Sequence, residues 1–347
     1  MDRLGRHKRI ERPAEANQAP HGDPKLFCPC TPNYSMPAPL NNIKVLFITG
    51  AARSGSTILD RILGQVDGFF SLGEVRNIPE HILLLNWKCG CGLNLRECEI
   101  WSAVFTQAFG GFDHLDAGRY IHLREYYTRP RRMLYMALGT DRRLIQQGAQ
   151  EYSQMLDALY SALHTVTGAK VLIDSSKFPA HAHLYSVLGK HRSYALHLIR
   201  DARAVTHSWR RKRTLIDSPD QRQMKIFSPL KSMQYWTLYN IGAEILPRRS
   251  KQPYMSLRYE DLILSPREHL NRILGFVGVE QAGLPLVDET TVYLGEDHTM
   301  GGNPNRMQSG KIELREDLEW KSAATFSTRF WSLLLGWPQL LRYGYKI

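Results

Sequence analysis

The chain has 347 residues, 43% of them hydrophobic, which is enough for one large buried α/β core. Its formal net charge of +12 calls for anionic ligands. No zinc-finger, homeodomain or aromatic ribonucleoprotein signature accompanies the cations, so a small polyanion accounts for them better than nucleic acid.

Residues 1–40 combine proline, glycine and charge with no apolar segment, and are expected to form a disordered tail rather than a signal peptide. No run of about 18 uncharged apolar residues follows, so no membrane span is expected and a cytoplasmic enzyme is the default. The folded domain is expected over residues 41–347. It opens with residues 43–63, IKVLFITGAARSGSTILDRIL. An apolar β-branched run meets a turn bounded by Gly50 and Gly55, and Ser56 starts a segment with Ile58, Leu59, Ile62 and Leu63 at helical spacing. This is strand, anion loop, helix. It differs from the usual phosphate loop because Ser56 stands where a lysine reaches a transferring γ-phosphate, while a cation appears earlier, at Arg53. Backbone N–H groups at the helix start and the hydroxyls of Ser54, Ser56 and Thr57 can still hold an anion other than a nucleoside triphosphate.

Next comes Glu74, in Gly73-Glu74-Val75-Arg76-Asn77-Ile78-Pro79. A carboxylate one helix and a turn beyond the loop can return to the same mouth, or it can offset a helix dipole with Arg76 as its partner. The five cysteines, an odd number, argue against a full disulfide framework. Cys28 and Cys30 in the tail, with Cys89, Cys91 and Cys98 in WKCGCGLNLREC, leave three alternatives: a Zn²⁺ set drawn from the two C-x-C pairs, free thiols, or a Cys89/Cys98 or Cys91/Cys98 link.

Residues 99–168 are expected to be helical, with Tyr152, Met155, Leu156, Leu159, Tyr160 and Leu163 as a core-facing stripe. Part of the region is expected to cover the site and select an acceptor. Arg129, Arg131, Arg132, Arg142 and Arg143 read as a solvated helix face. A buried-type strand in KVLIDSSKFP (170–179) then ends at Asp174 and Lys177, on the edge of an open α/β sheet where ligands bind. The run YALHLIRDARAVTHSWRRKR (194–213) gives another strand ending on Arg200, a helix capped by Asp201, Ser208, and the cations Arg210, Arg211, Lys212 and Arg213. That is a second anion pocket. Two phosphate sites at two strand ends suggest a ligand with two separated phosphates. A helix over 229–246, a strand over 254–257, a Gly-rich mobile loop within 298–320 and a core helix over 327–341 complete the chain.

The pair RSGST (53–57) and LIRDARAVTHSW (198–209) resembles the 5′-phosphosulfate loop and 3′-phosphate motif of sulfotransferases that use 3′-phosphoadenosine-5′-phosphosulfate (PAPS). The resemblance implies an α/β fold: a central, mostly parallel sheet of P-loop nucleotide-hydrolase-like topology, helices on both faces, and a helical insertion after the first strand-helix unit. It implies PAPS as donor, PAP as product, no metal in the reaction, and a hydroxyl (or amine) acceptor, the hydroxyl borne by a carbohydrate, a lipid, a natural product or a protein tyrosine. The segment around Glu74 is similar to one in protein-tyrosine sulfotransferases, where the glutamate deprotonates the acceptor. By the same resemblance Lys177 contacts the sulfuryl and leaving oxygens, and Arg200 and Ser208 hold the 3′-phosphate together with Lys212, for which Arg211 and Arg213 are near enough to substitute. Tyr259 in Arg258-Tyr259-Glu260-Asp261 lies beside adenosine, and Arg306 and the Ser309-Gly310-Lys311 run belong to a C-terminal loop that closes over the 3′-phosphate. A phosphate-loop kinase, or a non-catalytic anion or nucleic-acid binder, are the competing readings.

Overall fold

The computed structural model describes residues 43–139, 148–279 and 282–346. The tail with Cys28 and Cys30, and Arg142 and Arg143, lie outside the described residues. The central sheet contains β1 (Lys44–Thr49), β2 (Phe69–Gly73), β3 (Val171–Lys177), β4 (Arg192–Ile199) and β5 (Tyr254–Arg258). All four pairings are parallel and the order is β2-β3-β1-β4-β5. β1 is the middle strand. Its residues Val45 to Ile48 are essentially inaccessible, because a parallel strand covered on both faces keeps apolar side chains at consecutive positions.

Alternation along β1 decides which layer each side chain meets. Leu46 and Ile48 pack with Leu59, Ile62 and Leu63 of α1 (Ser56–Gly64). On the other face Phe47 meets the rings of Tyr160, His181 and Tyr185. Each fully buried Leu or Ile is worth about 1.5–3 kcal/mol, so α1 is anchored by its apolar stripe rather than by a side-chain cap, which it lacks.

The helical region after β2 consists of α2 (Glu99–Phe109), α3 (Ala117–Thr128), α4 (Pro130–Leu138) and α5 (Gly148–Thr167). All six stripe residues expected on α5 are buried. Beyond β3 and β4 lie α6 (Pro179–Leu188) and α7 (Ala202–Ser208), followed by α8 (Pro229–Ser250) before β5 and by α9 (Tyr259–Leu264) and α10 (Pro266–Phe276) after it. Asp201 caps α7 as expected, its carboxylate accepting from Arg203 N at 2.8 Å.

Three expectations need revision. β2 is a strand that the sequence reading passed over. The segment expected as a mobile loop holds half of an antiparallel hairpin, β6 (Thr291–Leu294) with β7 (Gly310–Glu313). After α11 (Glu319–Ala323), the last helix α12 (Phe326–Arg342) belongs to the core on one face only. It buries Thr328, Ser332, Gly336 and Leu340 and packs Trp331 and Leu335 against a core cluster, while Leu334 and Trp337 are about half exposed. Small residues at four-residue intervals let α12 lie close on Met233 and Ala202. Among the described residues no helix is long and apolar enough to cross a membrane.

Parallel pairing brings all five strand ends to one edge. The crossovers leave β1 and β4 on opposite sides, so the crevice between their carboxyl ends is the topological switch point, the place where open α/β sheets take ligands.

Candidate active site

The loop after β1 forms one wall of the crevice. Gly55 caps α1 at φ +90, and a Cβ there would overlap the Tyr259 ring, so glycine is required both by conformation and by space. Arg53 also takes a left-handed φ of 71. Its guanidinium lies over Trp209 at 5.1 Å, and Nε is buried without a hydrogen-bond partner. Burial, then the neighbouring Arg213, pulls the Arg53 pKa down to about 10. Ser54 Oγ is likewise buried and unpartnered. Ser56 and Thr57 occupy the first turn of α1, with Thr57 Oγ1 accepting the Asn303 N–H at 3.2 Å.

Arg200, directly after β4, forms the facing wall. One of its Nη groups donates to the Arg53 carbonyl at 3.1 Å, the other meets Asp317 at 3.3 Å, and the guanidinium stacks over Tyr259 at 4.7 Å. Arg53, Arg200 and Tyr259, taken from three separate stretches of sequence, therefore form one surface. Asp317 is also held bidentately by Arg211 at 2.9 and 3.0 Å. Burial pushes its carboxyl up, but Arg211 and Arg200 outweigh burial and hold it below the usual range.

Two assignments to this wall are corrected. Lys212 is exposed and does not line the cavity, whereas Arg211 and Arg213 do, because the chain after α7 turns their side chains inward. Arg306 is fully buried in an ion pair with Asp217 and donates to the carbonyls of Thr299 and Lys88. It borders the cavity, but with those partners its charge is committed to Asp217 and it fixes the 299–306 segment.

In the same crevice Glu74 and Lys177 meet directly: Lys177 Nζ donates to Glu74 Oε1, and Asn77 Nδ2 donates to Oε2 at 2.7 Å. Burial raises the Glu74 carboxyl, yet the Lys177 charge and these hydrogen bonds leave it below the ordinary carboxylate value. Two nearby charged groups that could have paired with them, Arg76 with Glu74 and Asp174 with Lys177, are engaged elsewhere. Arg76 is taken by Glu125 and Thr128, and Asp174 by Tyr160, His181 and the Ser176 N–H. A register slip explains Lys177: Phe47 faces Asp174 but Thr49 faces Lys177, and the extra residue in β3 turns Lys177, at φ 71, toward β2.

A cavity of about 700 Å³ takes in Arg53, Glu74, Lys177, Arg200, Ser208 and Tyr259. Its other walls come from residues 205–239 and 302–317. Among the described residues, 99–168 contribute nothing to this lining. Glu125 and Thr128 instead support Arg76 from behind. His81 was not singled out by sequence reasoning, yet it lines the cavity, stacks on Trp87 at 4.0 Å and, with its pKa lowered to about 4 by burial, is neutral. His207 lies elsewhere, at 3.3 Å from Glu319.

The architecture and crevice define an α/β protein with arginines gathered at the ends of parallel strands and a carboxylate beside them. The sequence pattern of the sulfotransferase family matches residues 46–283, and the chain belongs to that family. No curated protein sequence matches it. Among solved structures, the sulfotransferase domain from the curacin biosynthetic pathway is similar at 18% identity and TM-score 0.46, covering 89% of this chain and 100% of that one. The sulfotransferase domain of the Synechococcus PCC 7002 olefin synthase is similar at 18% identity and TM-score 0.45, covering 90% and 99%. Sulfotransferase STF9 from Mycobacterium avium follows at 16% and 0.39, covering 70% and 65%.

Proposed function

We propose that this sulfotransferase moves the sulfuryl group of PAPS to an acceptor hydroxyl by in-line displacement. The observation that carries the reading is the convergence on one cavity of the joined Arg53 and Arg200 with the Glu74–Lys177 pair. A ligand with separated phosphates fits this arrangement. The buried donors Arg53 Nε and Arg211 Nε, both without partners on the cavity wall, fit an anion there.

On this reading Arg53 and the N–H groups opening α1 hold the 5′-phosphosulfate, with the Ser56 and Thr57 hydroxyls beside them. Arg200, Ser208, Arg211 and Arg213 hold the 3′-phosphate, and Tyr259 lies against the adenosine. Glu74, ionised at neutral pH, accepts the acceptor proton. As the acceptor oxygen bonds to sulfur and the bridging S–O bond breaks, the electron pair stays on the phosphate oxygen, where Lys177 and Arg53 neutralise it. The stacked Trp209 and Phe227, 4.2 Å apart, together with Phe178 and Tyr239, favour an acceptor with an aromatic or apolar body.

Calorimetric titration of the full chain with PAP tests the nucleotide assignment; binding is expected, and its absence would end it. Incubation with PAPS and a panel of phenols, sugars and tyrosine peptides, followed by mass spectrometry, tests the reaction. A sulfo adduct formed without added metal is expected. Turnover of ATP with Mg²⁺ instead of PAPS would favour the kinase reading.

A further inference from the structure

Beside the cavity, which Trp87 lines, the segment 87–98 folds into a tight hairpin: Cys89 N donates to Leu93 O, Leu95 N to Trp87 O, and Gly92 turns at φ +88. This places Cys89 and Cys91 at its tip. Cys98 stands at the N-terminus of α2, and its N–H bonds to Asn94 O. A fourth group arrives from far along the chain. His298 is positioned by its carbonyl, which accepts from Trp101 Nε1 at 2.8 Å, and by its ring, stacked on Phe70.

The Sγ atoms of Cys89, Cys91 and Cys98 and one ring nitrogen of His298 all lie within 4.8 Å of one another. Cys89 Sγ is 3.7 Å from Cys98 Sγ, and His298 Nδ1 is 3.8 and 3.2 Å from those two sulfurs. Zn–S bonds of about 2.3 Å and Zn–N bonds of about 2.0 Å in a tetrahedron set ligand edges of about 3.8 Å for S···S and about 3.5 Å for S···N. The observed edges have that size. A Cys89–Cys98 disulfide would require about 2.05 Å and would leave Cys91 and His298 converging on nothing.

We propose that Cys89, Cys91, Cys98 and His298 form a tetrahedral Zn²⁺ site. Three thiolates and one imidazole select zinc over hard, oxygen-seeking cations. With four protein ligands the site is closed, and its role is structural rather than catalytic. On binding, the thiols release their protons to solvent and the imidazole coordinates as the neutral base through Nδ1. The α2 N-terminus faces the Cys98 thiolate and favours its charge.

The site has a consequence for the cavity. Gly90 N donates to Thr299 O, and two residues after His298 the Met300 carbonyl accepts the Glu74 N–H at 2.9 Å. Zinc therefore staples the hairpin to the strip of chain against which Glu74 rests.

The test needs no acceptor or nucleotide and stands apart from the sulfuryl-transfer reading. The full chain is produced in zinc-supplemented medium and purified with a reductant and without chelators. Elemental analysis is expected to give about one zinc per chain. Exchange for Co²⁺ is expected to give the intense sulfur-to-metal absorption and visible bands of a tetrahedral thiolate site. Cys91→Ser, at the least buried ligand, is expected to keep the far-UV spectrum while weakening zinc affinity at least about tenfold. Cys28→Ser combined with Cys30→Ser is expected to retain the zinc. Zinc below about a tenth of stoichiometry in the parent protein, an octahedral cobalt spectrum, undiminished affinity in Cys91→Ser, or zinc loss in the Cys28/Cys30 double variant would each overturn the assignment.

Discussion

Replacing Glu74 with Gln isolates the proton-accepting step from nucleotide binding. The amide keeps an oxygen for Lys177, but it removes the charge and presents N–H against the Asn77 donor that now contacts Oε2 at 2.7 Å. Hydrogen bonds to charged groups are worth about 1.5–3 kcal/mol each, so a loss of stability of that order is expected at neutral pH. The sign follows from the depressed carboxyl: stability from Glu74 is present above its unfolded pKa and lost as pH falls through the lower folded value. The variant and the parent should therefore converge in melting temperature in acid. Turnover is expected to fall about 10²- to 10⁴-fold, the usual worth of a general base, equivalent to about 2.7–5.5 kcal/mol of barrier. Affinity for PAP, gripped by Arg53 and Arg200, should change by less than about twofold, since Glu74 contributes no nucleotide contact and PAP lacks the sulfuryl group that competes with it for Lys177. Mass-spectrometric rates with the best acceptor of the panel, and calorimetry with PAP, measure the two quantities. Turnover within about threefold of the parent in a folded variant would refute the assignment of Glu74 as base, and loss of PAP affinity would refute the spatial division of labour.

Further outcomes follow from the same geometry. Arg200→Ala is expected to weaken PAP binding by at least about tenfold, since one guanidinium supplies a charge-assisted bond and holds the anion loop through the Arg53 carbonyl; calorimetry reads it. Gly55→Ala combines a left-handed φ with overlap on Tyr259 and should abolish PAP binding with a lowered melting temperature. Asp60, buried beneath Ser71 and Ser175, has its pKa raised to about 7, chiefly by burial, so the native state binds the proton more tightly than the unfolded chain and stability falls as pH rises from about 4 to about 7. Asp60→Asn is accordingly expected to match the parent in acid and to exceed its melting temperature at pH 8, by thermal denaturation across pH.

Local chemistry was legible in the sequence; its company was not. The apolar run of β1, the turn at Gly50 and the start of α1 at Ser56 are written in consecutive residues, so both the element and its ligand-facing loop could be read directly. β2 was missed because Phe69–Gly73 is short and bounded by glycines, which read as punctuation rather than as a buried strand. The Glu74–Lys177 contact depends on a register slip between β1 and β3, and no pattern within either segment encodes it. Arg306 and Lys212 illustrate the converse. Residue type and spacing matched a phosphate ligand, but the orientation of a long side chain is set by whatever carboxylate lies nearest in space, and Asp217 was 89 residues away in sequence from Arg306. His298 was hidden for the same reason, 200 residues from Cys98.

Charge balance links the two cationic parts of the cavity wall. Arg200 and Arg211 converge on Asp317, and Lys177 converges on Glu74, so each cationic site has a carboxylate partner in the structure. On the proposed reading a dianionic 3′-phosphate competes with Asp317, and the phosphosulfate competes with Glu74 for Lys177. Both exchanges act in the same direction, since a Lys177 shared with the donor relaxes its hold on Glu74 and raises the basicity of that carboxylate when an acceptor hydroxyl needs it. Asp317→Asn separates the two effects. By removing the competing charge it should tighten PAP binding about five- to tenfold, or about 1–1.4 kcal/mol, while leaving the pH dependence of turnover, which belongs to Glu74 and Lys177, where it was. Weaker PAP binding in that variant would show that Asp317 orients the arginines for the phosphate instead of standing in its place.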